Sequence, residues 1–223
     1  MNDTLSKNRQ HTNQPGSGEA AVLLNLLAAL ERDEAHTQRS LSGELGVALG
    51  LANTYLRRCV RKGWIKVRQA PARRFLYYVT PAGFAEKARL TAEYLSASFD
   101  LFRTARGQCD ALVETCQRRG WRRVVLVGAG DLAEIAALSA LGSDVNAVAV
   151  VVGAQSNQMH IAGLPVVPTI SAAGPFDAVI LTDIRTPQAT FEELATIVPA
   201  ERLLVPPMLR VSRRRIATTE TVA

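Results

Sequence analysis

A group of amide, hydroxyl and cationic side chains between residues 53 and 62 has the chemistry needed to bind a nucleic acid. Its members are Asn53, Thr54, Arg57, Arg58, Arg61 and Lys62. Asn and Arg side chains can each form two hydrogen bonds to a base edge, whereas Lys suits a phosphate. Leu56 and Val60 are four residues apart, so in a helix they would face the core and leave the polar set exposed. The pattern predicts a helix that contacts double-stranded DNA.

The charge of the surrounding segment supports this prediction. Residues 37–79 contain nine Lys and Arg residues and a single acid, Glu44. Residues 120–223, by contrast, contain eight bases and nine acids, in a chain whose formal net charge is +6. A solvated basic face is the alternative explanation, but a phosphate backbone as partner accounts better for so dense a charge.

The elements around this helix have the order of a winged helix-turn-helix domain. Helices are expected at about 20–30, 38–45 and 49–62, and they are followed by strands at 64–67 and 75–79. The third helix can enter a major groove, while the hairpin, or wing, reaches the flanking backbone with Arg73 and Arg74. Thr37 is placed to cap the second of these helices. Thr80 is placed to cap the helix after the hairpin, with Pro81 in its first turn. A helix-turn-helix that binds protein is the alternative.

Two segments carry a family resemblance. The stretch TQRSLSGELGVALGLANTYLRRCVRKGWIKV, followed by FLYYVTPAGFAEKARLTAEYL, resembles the MarR-type winged-helix regulators associated with exopolysaccharide gene clusters. The marks are the run from Lys62 to Val67 and the run from Thr80 to Leu90. The similarity covers roughly residues 20–100, and it implies DNA binding and transcriptional control.

Residues 83–119 form one long helical pattern that joins two domains. Small and apolar residues recur every 3.5 positions, as in the seam of a coiled coil, at Phe84, Ala88, Thr91, Leu95, Ser98, Phe102, Ala105, Cys109, Leu112 and Cys116. We expect a linker and dimerisation helix, and therefore a homodimer. The alternative is a helix that packs against its own domains.

After residue 120 buried strands alternate with helices, which predicts an α/β Rossmann-like domain with a parallel sheet. The first strand leads into Gly128, Ala129, Gly130 and Asp131, where glycines would let a phosphate approach a helix N-terminus. A nucleotide-type ligand is therefore expected. The second strand ends without an acidic residue for ribose hydroxyls, which disfavours plain NAD. A Rossmann-like domain whose site is lost or serves a partner is the alternative.

This second domain resembles a different family. The run VVLVGAGDLAEI, a second strand, and then IAGLPVV are similar to the N-terminal domain of sugar-nucleotide acyltransferases, in which the glycine-rich turn and the loop after the second strand contact a UDP-sugar. The resemblance implies ligand contacts at Gly128 to Asp131 and at Gly153, with His160 near the same rim. It makes a nucleotide sugar, or another phosphate-bearing metabolite, the expected effector. A surface histidine without a ligand is the alternative for His160.

The chain lacks the patterns of an enzyme. There is no nucleophile elbow, no pair of metal ligands and no acid–base pair in the α/β region, so no catalytic residue and no metal is expected. The apolar runs are too short for a membrane helix and the first residues lack a signal peptide, so a cytoplasmic protein is expected.

The expected organisation is a disordered arm (1–18), a winged helix-turn-helix domain (19–82), a long linker and dimerisation helix (83–119), a Rossmann-like sensing domain (120–208) and a basic flexible tail (209–223). It predicts a metabolite-responsive transcriptional regulator. Two alternatives stay open: a nucleotide-sugar-modifying enzyme with a DNA-binding half, and an assembly module with an empty Rossmann-like domain.

Overall fold

The computed structural model describes residues 17–33, 36–70, 74–153 and 159–213. The chain divides into two compact units, with the boundary between Ser98 and Phe99. Most of the predicted arm, residues 1–16, lies outside the described residues, and the first helix begins at Ser17. Among the described residues, no helix is both long enough and apolar enough to cross a membrane.

The N-terminal unit contains three helices, a two-stranded hairpin and the start of a long helix. Its elements are α1 (Ser17–Arg32), α2 (Gln38–Glu44), α3 (Leu49–Arg61), β1 (Ile65–Ala70), β2 (Arg74–Val79) and α4 (Pro81–Arg118). Leu26, Leu27 and Leu30 of α1 are fully buried, because this helix is apolar on most of its faces and forms the centre of the core. Leu41 and Ile65 pack against them from α2 and β1.

The core face of α3 differs by one residue from the prediction. Ala52, Leu56 and Cys59 are buried, whereas Val60 is 43% exposed. The prediction for Val60 was wrong because both the i+3 and the i+4 neighbours of Leu56 are compatible with a core-facing position in a helix. Cys59, with its small apolar side chain, occupies that position instead.

Helix α4 is 38 residues long and continues through Gly107. Leu90 is buried in the core of the N-terminal unit. In the second unit Ala105, Cys109 and Cys116 are buried in the α/β core. For these three residues the predicted coiled-coil seam is wrong, and the alternative of packing within the chain is correct.

The second unit is built on a six-stranded sheet with the order β5-β6-β4-β3-β7-β8. Its elements after α4 are β3 (Arg123–Val127), α5 (Asp131–Ala140), β4 (Asn146–Val151), β5 (His160–Ile161), β6 (Leu164–Val167), β7 (Ala178–Leu181), α6 (Pro187–Ala195) and β8 (Leu203–Leu204). All pairs are parallel except β5 with β6. Residues of β3 alternate between two cores: Val124 and Leu126 pack on the side of α5, whereas Val125 and Val127 pack on the side of α6. The predicted mostly parallel sheet between helices is confirmed.

The segment after β8 is packed rather than free up to Arg213. Leu209 and Val211 contact the α/β cores. The Gln188 side-chain amide accepts a hydrogen bond from Ser212 N at 2.8 Å and donates one to Ser212 O at 3.2 Å. Both backbone polar groups of Ser212 are therefore paired. The predicted tail therefore does not begin at residue 209, because apolar burial and these hydrogen bonds hold 209–213. The rest of that tail lies outside the described residues.

Candidate nucleic-acid interface and glycine-rich turn

Helix α3 is positioned by a capped α2 and a tight turn. Thr37 Oγ1 accepts a hydrogen bond from Ser40 N at 3.0 Å, and Ser40 Oγ accepts one from Thr37 N at 2.9 Å. This reciprocal capping box fixes where α2 begins and confirms Thr37 as its cap. Gly46 has φ +62° and turns the chain toward α3, a conformation that glycine adopts at little cost.

The solvent face of α3 carries exposed cations. Arg57 and Arg61 are exposed, and no carboxylate of the described residues forms an ion pair with either. Thr54 is exposed, with its Oγ1 donating to Gly50 O at 2.9 Å. Asn53 is half-buried, and its Oδ1 is shielded from solvent without a hydrogen-bond partner in the described chain. Four residues predicted to contact DNA therefore lie on one face of α3 or at its edge: Asn53, Thr54, Arg57 and Arg61.

Arg58 and Lys62 are placed differently. Arg58 forms an ion pair with Glu19 of α1, so its charge is already partly compensated. Lys62 is the C-cap residue of α3 and is exposed.

The neighbouring Cys59 thiol is buried, and burial raises its pKa to about 12 even though the positive charge of Arg58 acts in the opposite direction. This thiol stays protonated at neutral pH.

The wing is a regular antiparallel hairpin. Its register runs from the Ile65–Val79 pair to the Ala70–Arg74 pair. Arg74 begins β2, while Arg73 lies outside the described residues, so their predicted contacts with DNA stay predictions.

Thr80 joins the wing to α4. Its backbone N donates to Trp64 O at 2.9 Å, and its Oγ1 donates to Gly63 O at 2.6 Å. The same Oγ1 accepts from Gly83 N at 3.1 Å, which confirms Thr80 as the cap of α4. A Cβ on Gly83 would lie 2.1 Å from Trp64 O, so only glycine allows this close approach. The joint fixes the root of the wing.

The glycine-rich turn follows β3 at the carboxyl end of the sheet. Gly128 and Gly130 both have φ +113°. A Cβ on Gly128 would lie 2.3 Å from Asp183 N and 2.4 Å from Asp183 Cα, and Thr182 Oγ1 donates to Gly128 O at 2.7 Å. The chain's own backbone after β7 therefore occupies the space beside Gly128. This glycine is required by packing within the fold.

Gly130 has a more open environment. A Cβ there would meet no atom within 4 Å, and Gly130 is the N-cap of α5 without a side-chain capping bond. Its carbonyl oxygen accepts hydrogen bonds from Ala133 N and Glu134 N. Asp131 is exposed in the first turn, where a carboxylate is favoured by the helix dipole but opposes an incoming phosphate.

Asp183 was missed by the sequence analysis. Its carboxylate accepts hydrogen bonds from Arg185 N, from Thr186 N and Oγ1, and from Thr190 Oγ1, at 2.6–3.4 Å. Burial acts to raise the pKa of Asp183, but these hydrogen bonds, led by that from Thr190, outweigh it and hold the pKa below its usual range. The signal was an Asp a few residues before Thr186 and Pro187, a sequence typical of a helix start. Its role is to organise the start of α6.

Gly153 lies at the same edge of the sheet as the glycine-rich turn, because it is two residues beyond Val151, whose carbonyl oxygen accepts a hydrogen bond from Gly128 N at 3.0 Å. Gly153 is exposed just after β4, and residues 154–158 lie outside the described residues. His160 lies in β5, opposite Pro165 of β6. Two strands separate β5 from β3, which places them about 14 Å apart at ordinary strand spacing. The prediction that His160 shares the rim of the turn is wrong, because the β5–β6 hairpin forms the outer edge of the sheet.

No group of three or more His, Cys, Asp or Glu side chains in the described chain could hold a metal ion.

Comparison with known proteins identifies one part of the chain. Residues 21–66 match a family model described as winged helix-turn-helix DNA-binding. The N-terminal unit contains a winged helix-turn-helix DNA-binding domain. The match covers a minority of the chain, and no curated protein matches it.

Three solved structures are distantly similar. MepR, a transcription regulator of the Staphylococcus aureus multidrug efflux pump MepA, is 20% identical, with 38% of this chain and 62% of that chain covered and a TM-score of 0.33. ZitR, a zinc-responsive MarR family member of Lactococcus lactis, is 19% identical over 45% and 70% of the two chains, with a TM-score of 0.29. A structure of PigF with SAH is 16% identical over 73% and 63%, with a TM-score of 0.27. The chain thus spans less than two thirds of the MepR and PigF chains, and similarities this distant do not show what it binds.

Within the winged helix-turn-helix domain, two further cations are exposed on the wing. Lys66 and Arg68 are exposed at alternate positions of β1 and therefore point to the same side of the hairpin. The alternation was visible in the sequence, but periodicity alone does not tell which face of a strand is solvated. The exposed cations of this domain therefore include Arg57 and Arg61 of α3, the C-cap residue Lys62, and Lys66 and Arg68 of β1.

Proposed function

We propose that the protein is a MarR-type transcriptional regulator that binds double-stranded DNA as a homodimer in the cytoplasm, and that its α/β unit senses a nucleotide-type metabolite. The observation that carries the proposal is the exposed cationic face of α3 within a domain of a DNA-binding type. Free guanidinium groups on this face are available for base edges and phosphates.

In this proposal α3 enters the major groove. Asn53, Thr54, Arg57 and Arg61 contact base edges, while Lys62 and the wing residues Arg73 and Arg74 bind the backbone. Arg58 contributes only after leaving Glu19, so it has to exchange one ion pair for another. It is therefore expected to matter less than Arg57 for affinity.

The direct test is a titration of the protein with the DNA upstream of its own gene, at 50 and 200 mM salt. Affinity is expected to fall steeply between the two salt concentrations because phosphate contacts release counterions. Arg57→Ala is expected to weaken binding by about tenfold or more, the loss typical of a base contact. Arg103→Ala is the matched control, since Arg103 is an exposed arginine of α4 that pairs with Asp100. Equal effects of the two substitutions, or no binding to any DNA, would exclude α3 as the DNA-binding element.

The homodimer is supported by apolar side chains on α4. Large apolar residues are 46–60% exposed along its middle: Tyr94, Leu95, Phe99, Leu101 and Phe102. A helix face of this kind is ordinarily covered by a partner, and regulators of this class need two half-sites. Sedimentation analysis of Phe99→Glu and Phe102→Glu tests the proposal, because a charge in the interface is expected to give monomers. Leu141→Glu, at the 71% exposed C-cap position that follows α5, is the control.

Metabolite sensing is supported by Gly130 and the start of α5. The space beside Gly130 is open, and the first N–H groups of α5 have no capping side chain. These groups and the helix dipole favour a phosphate. A nucleotide sugar is the first candidate, and ligand binding would alter DNA affinity by favouring one of two arrangements of the dimer.

A panel of UDP-sugars, NAD(H), NADP(H) and CoA, titrated by calorimetry and added to the DNA titration, tests this part. Gly130→Glu is expected to abolish ligand binding. Gly142→Glu is the matched control, because Gly142 also has positive φ and an open environment but follows the other end of α5. Turnover of a nucleotide sugar would favour the enzyme alternative. DNA binding that no ligand changes would favour an assembly module.

A further inference from the structure

A cleft of about 300 Å³ lies at the end of α5 that is remote from the glycine-rich turn. We call it the α5 cleft. It is enclosed by the last turn of α5, the loop that leads into β4, and the turn of the β5–β6 hairpin, and its apolar lining includes Ala137, Leu138, Leu141, Ala147, Ala162 and Leu164. The volume lies at the lower end of the range for small-molecule sites.

Two large apolar side chains of the α5 cleft are exposed. Leu138 is 43% exposed and Leu141 is 71% exposed. Single exposed apolar residues are common, but these two line one concave space together with the small residues Ala147 and Ala162. A short apolar chain in this space would remove apolar surface of both leucines from water.

The walls of the α5 cleft are held in place by contacts within the unit. Ser143 Oγ donates a hydrogen bond to Ala140 O at 2.8 Å and accepts one from Val145 N at 3.1 Å, which fixes the loop between α5 and β4. The hairpin turn has two successive positive φ angles, +50° at Ala162 and +79° at Gly163, as in a tight two-residue turn. The cleft is therefore formed before any ligand enters.

The charge of the α5 cleft favours a cation. Among the described residues that line it, Asp144 is the only one with a charged side chain. Asp144 lies just beyond the C-terminal end of α5, where the helix dipole also favours positive charge. The cleft therefore suits a ligand that combines a cationic group with an apolar chain.

Asp144 has one partner already and can accept more hydrogen bonds. Its Oδ2 pairs with Arg122 Nη1 at 2.8 Å, and its side chain is 73% exposed. A carboxylate has about four acceptor positions, so this ion pair leaves room for a second donor. Asn146 is exposed and lines the same space, with an amide oxygen that can accept a further hydrogen bond.

We propose that the α5 cleft binds a small amphipathic amine as its ammonium ion. The ammonium group donates hydrogen bonds to Asp144 and Asn146, and the apolar chain lies against Leu138 and Leu141. The ten residues of α5 separate this site from the glycine-rich turn by about 15 Å. The proposal rests neither on DNA binding nor on a nucleotide ligand, and it adds a ligand of the opposite charge.

The probe is n-hexylamine, titrated into the whole protein by NMR and calorimetry, with 1-hexanol and hexanoate for comparison. We expect one site per chain, with the resonances of Leu138, Leu141 and Ala162 shifting most. The alcohol is expected to bind about fivefold more weakly, because it loses a charge-assisted hydrogen bond to a carboxylate that solvent partly screens. Hexanoate is expected to show no saturable binding. Equal binding of the three probes would overturn the proposal.

Two substitutions test the charged end of the site. Asp144→Asn is expected to remove most of the difference between n-hexylamine and 1-hexanol. Arg122→Gln is expected to strengthen n-hexylamine binding by about threefold, because a competing cation leaves Asp144. Asp110→Asn is the matched control, since Asp110 belongs to the same unit and pairs with Arg106 at 3.0 Å, away from the cleft. Equal effects of Asp144→Asn and Asp110→Asn would show that the ammonium group is not bound at Asp144.

Leu141→Ser tests the apolar wall. It is expected to weaken n-hexylamine binding by about fivefold, the effect of losing contact with one or two methylene groups. Ile197→Ser is the matched control, because Ile197 is 58% exposed in the same unit and also follows a helix but does not line the cleft. Leu138→Ser serves as a second variant if Leu141→Ser fails to fold by circular dichroism. Equal weakening by the control would overturn the proposal.

The tests of the two ends of α5 are independent. If n-hexylamine binds and no nucleotide does, the proposed nucleotide sensing fails and the assignment of the α5 cleft stands. If a nucleotide binds and n-hexylamine produces no saturable shift, the assignment of the α5 cleft is wrong and the proposed function stands.

Discussion

Replacing Gly83 by alanine tests whether the root of the wing is fixed by a close backbone contact. The added Cβ would lie 2.1 Å from Trp64 O, 3.0 Å from Trp64 C and 2.9 Å from Val79 Cγ1. Two of these atoms belong to the backbone, so no side-chain rotation relieves the overlap. The start of α4 has to move away from the hairpin.

Three contributions determine the magnitude. Overpacking of this kind costs about 1–3 kcal/mol. Moving α4 also lengthens the hydrogen bond from Thr80 N to Trp64 O, now 2.9 Å, at a cost of about 1 kcal/mol. The greater helix propensity of alanine returns about 1 kcal/mol. We therefore expect Gly83→Ala to lower the free energy of unfolding of the N-terminal unit by about 2 kcal/mol.

Urea unfolding followed by the fluorescence of Trp64 measures this change, in a Trp121→Phe background so that only the N-terminal unit reports. Gly50→Ala is the matched control: Gly50 is also helical and in the same unit, but a Cβ there meets no atom within 4 Å. The control is expected to stabilise the unit by about 1 kcal/mol. If Gly83→Ala stabilises the unit as much as Gly50→Ala does, the close contact at Trp64 has no energetic role and the reasoning fails.

Two further predictions concern titratable groups. Burial raises the pKa of Cys59 to about 12 and the pKa values of Cys109 and Cys116 to about 11. All three thiols are therefore expected to resist alkylation by iodoacetamide at pH 8 until the protein unfolds. Rapid labelling of the native protein, detected by mass spectrometry, would contradict this prediction. The pKa of Asp183 is lowered in the folded protein, so its stabilising contribution is present above the unfolded pKa of about 3.9 and is lost as pH falls through the folded pKa. Asp183→Asn is expected to destabilise the second unit at pH 7 and to reduce the stability that this unit loses below about pH 4. Urea unfolding at each pH measures both effects. If the variant loses as much stability in acid as the wild-type protein does, the charge of Asp183 does not stabilise the unit.

The helices and central strands could be predicted because their signals are local. An apolar α1, the cap at Thr37 and the continuous apolar run of β3 each depend on a few neighbouring residues, and these elements lie where the sequence indicated. The register of the core on α3 could not be predicted, because Cys59 and Val60 are both compatible with a core face. The β5–β6 hairpin was missed because its strands, of two and four residues, are too short to show a periodicity.

The candidate site was predictable in its polar part only. Asn53 and Arg57 were identified from residue type and spacing, which are properties of one helix. A cleft beside them is lined by Val60 of α3 and by Val67 and Phe75 of the wing. It depends on how the two strands of the hairpin pair, which brings these side chains to face α3. Likewise the ion pair of Arg58 with Glu19 joins residues far apart in the sequence. Long-range contacts of this kind leave no mark in a local pattern.

The glycine-rich turn shows how a motif can have two separate causes. Gly128 is required because the backbone of Asp183 lies against it, so this glycine would be needed whether or not a ligand binds. Gly130 has no such neighbour, yet it adopts φ +113°, which a side chain tolerates poorly. A substitution at Gly128 therefore damages the fold and the proposed site together. One at Gly130, compared with the same substitution at Gly142, which also has a positive φ, isolates the site. Because Asp131 adds a negative charge at the same helix start, a phosphate binds there only if the N–H groups of α5 outweigh that charge. The ligand panel with Gly130→Glu measures this balance directly.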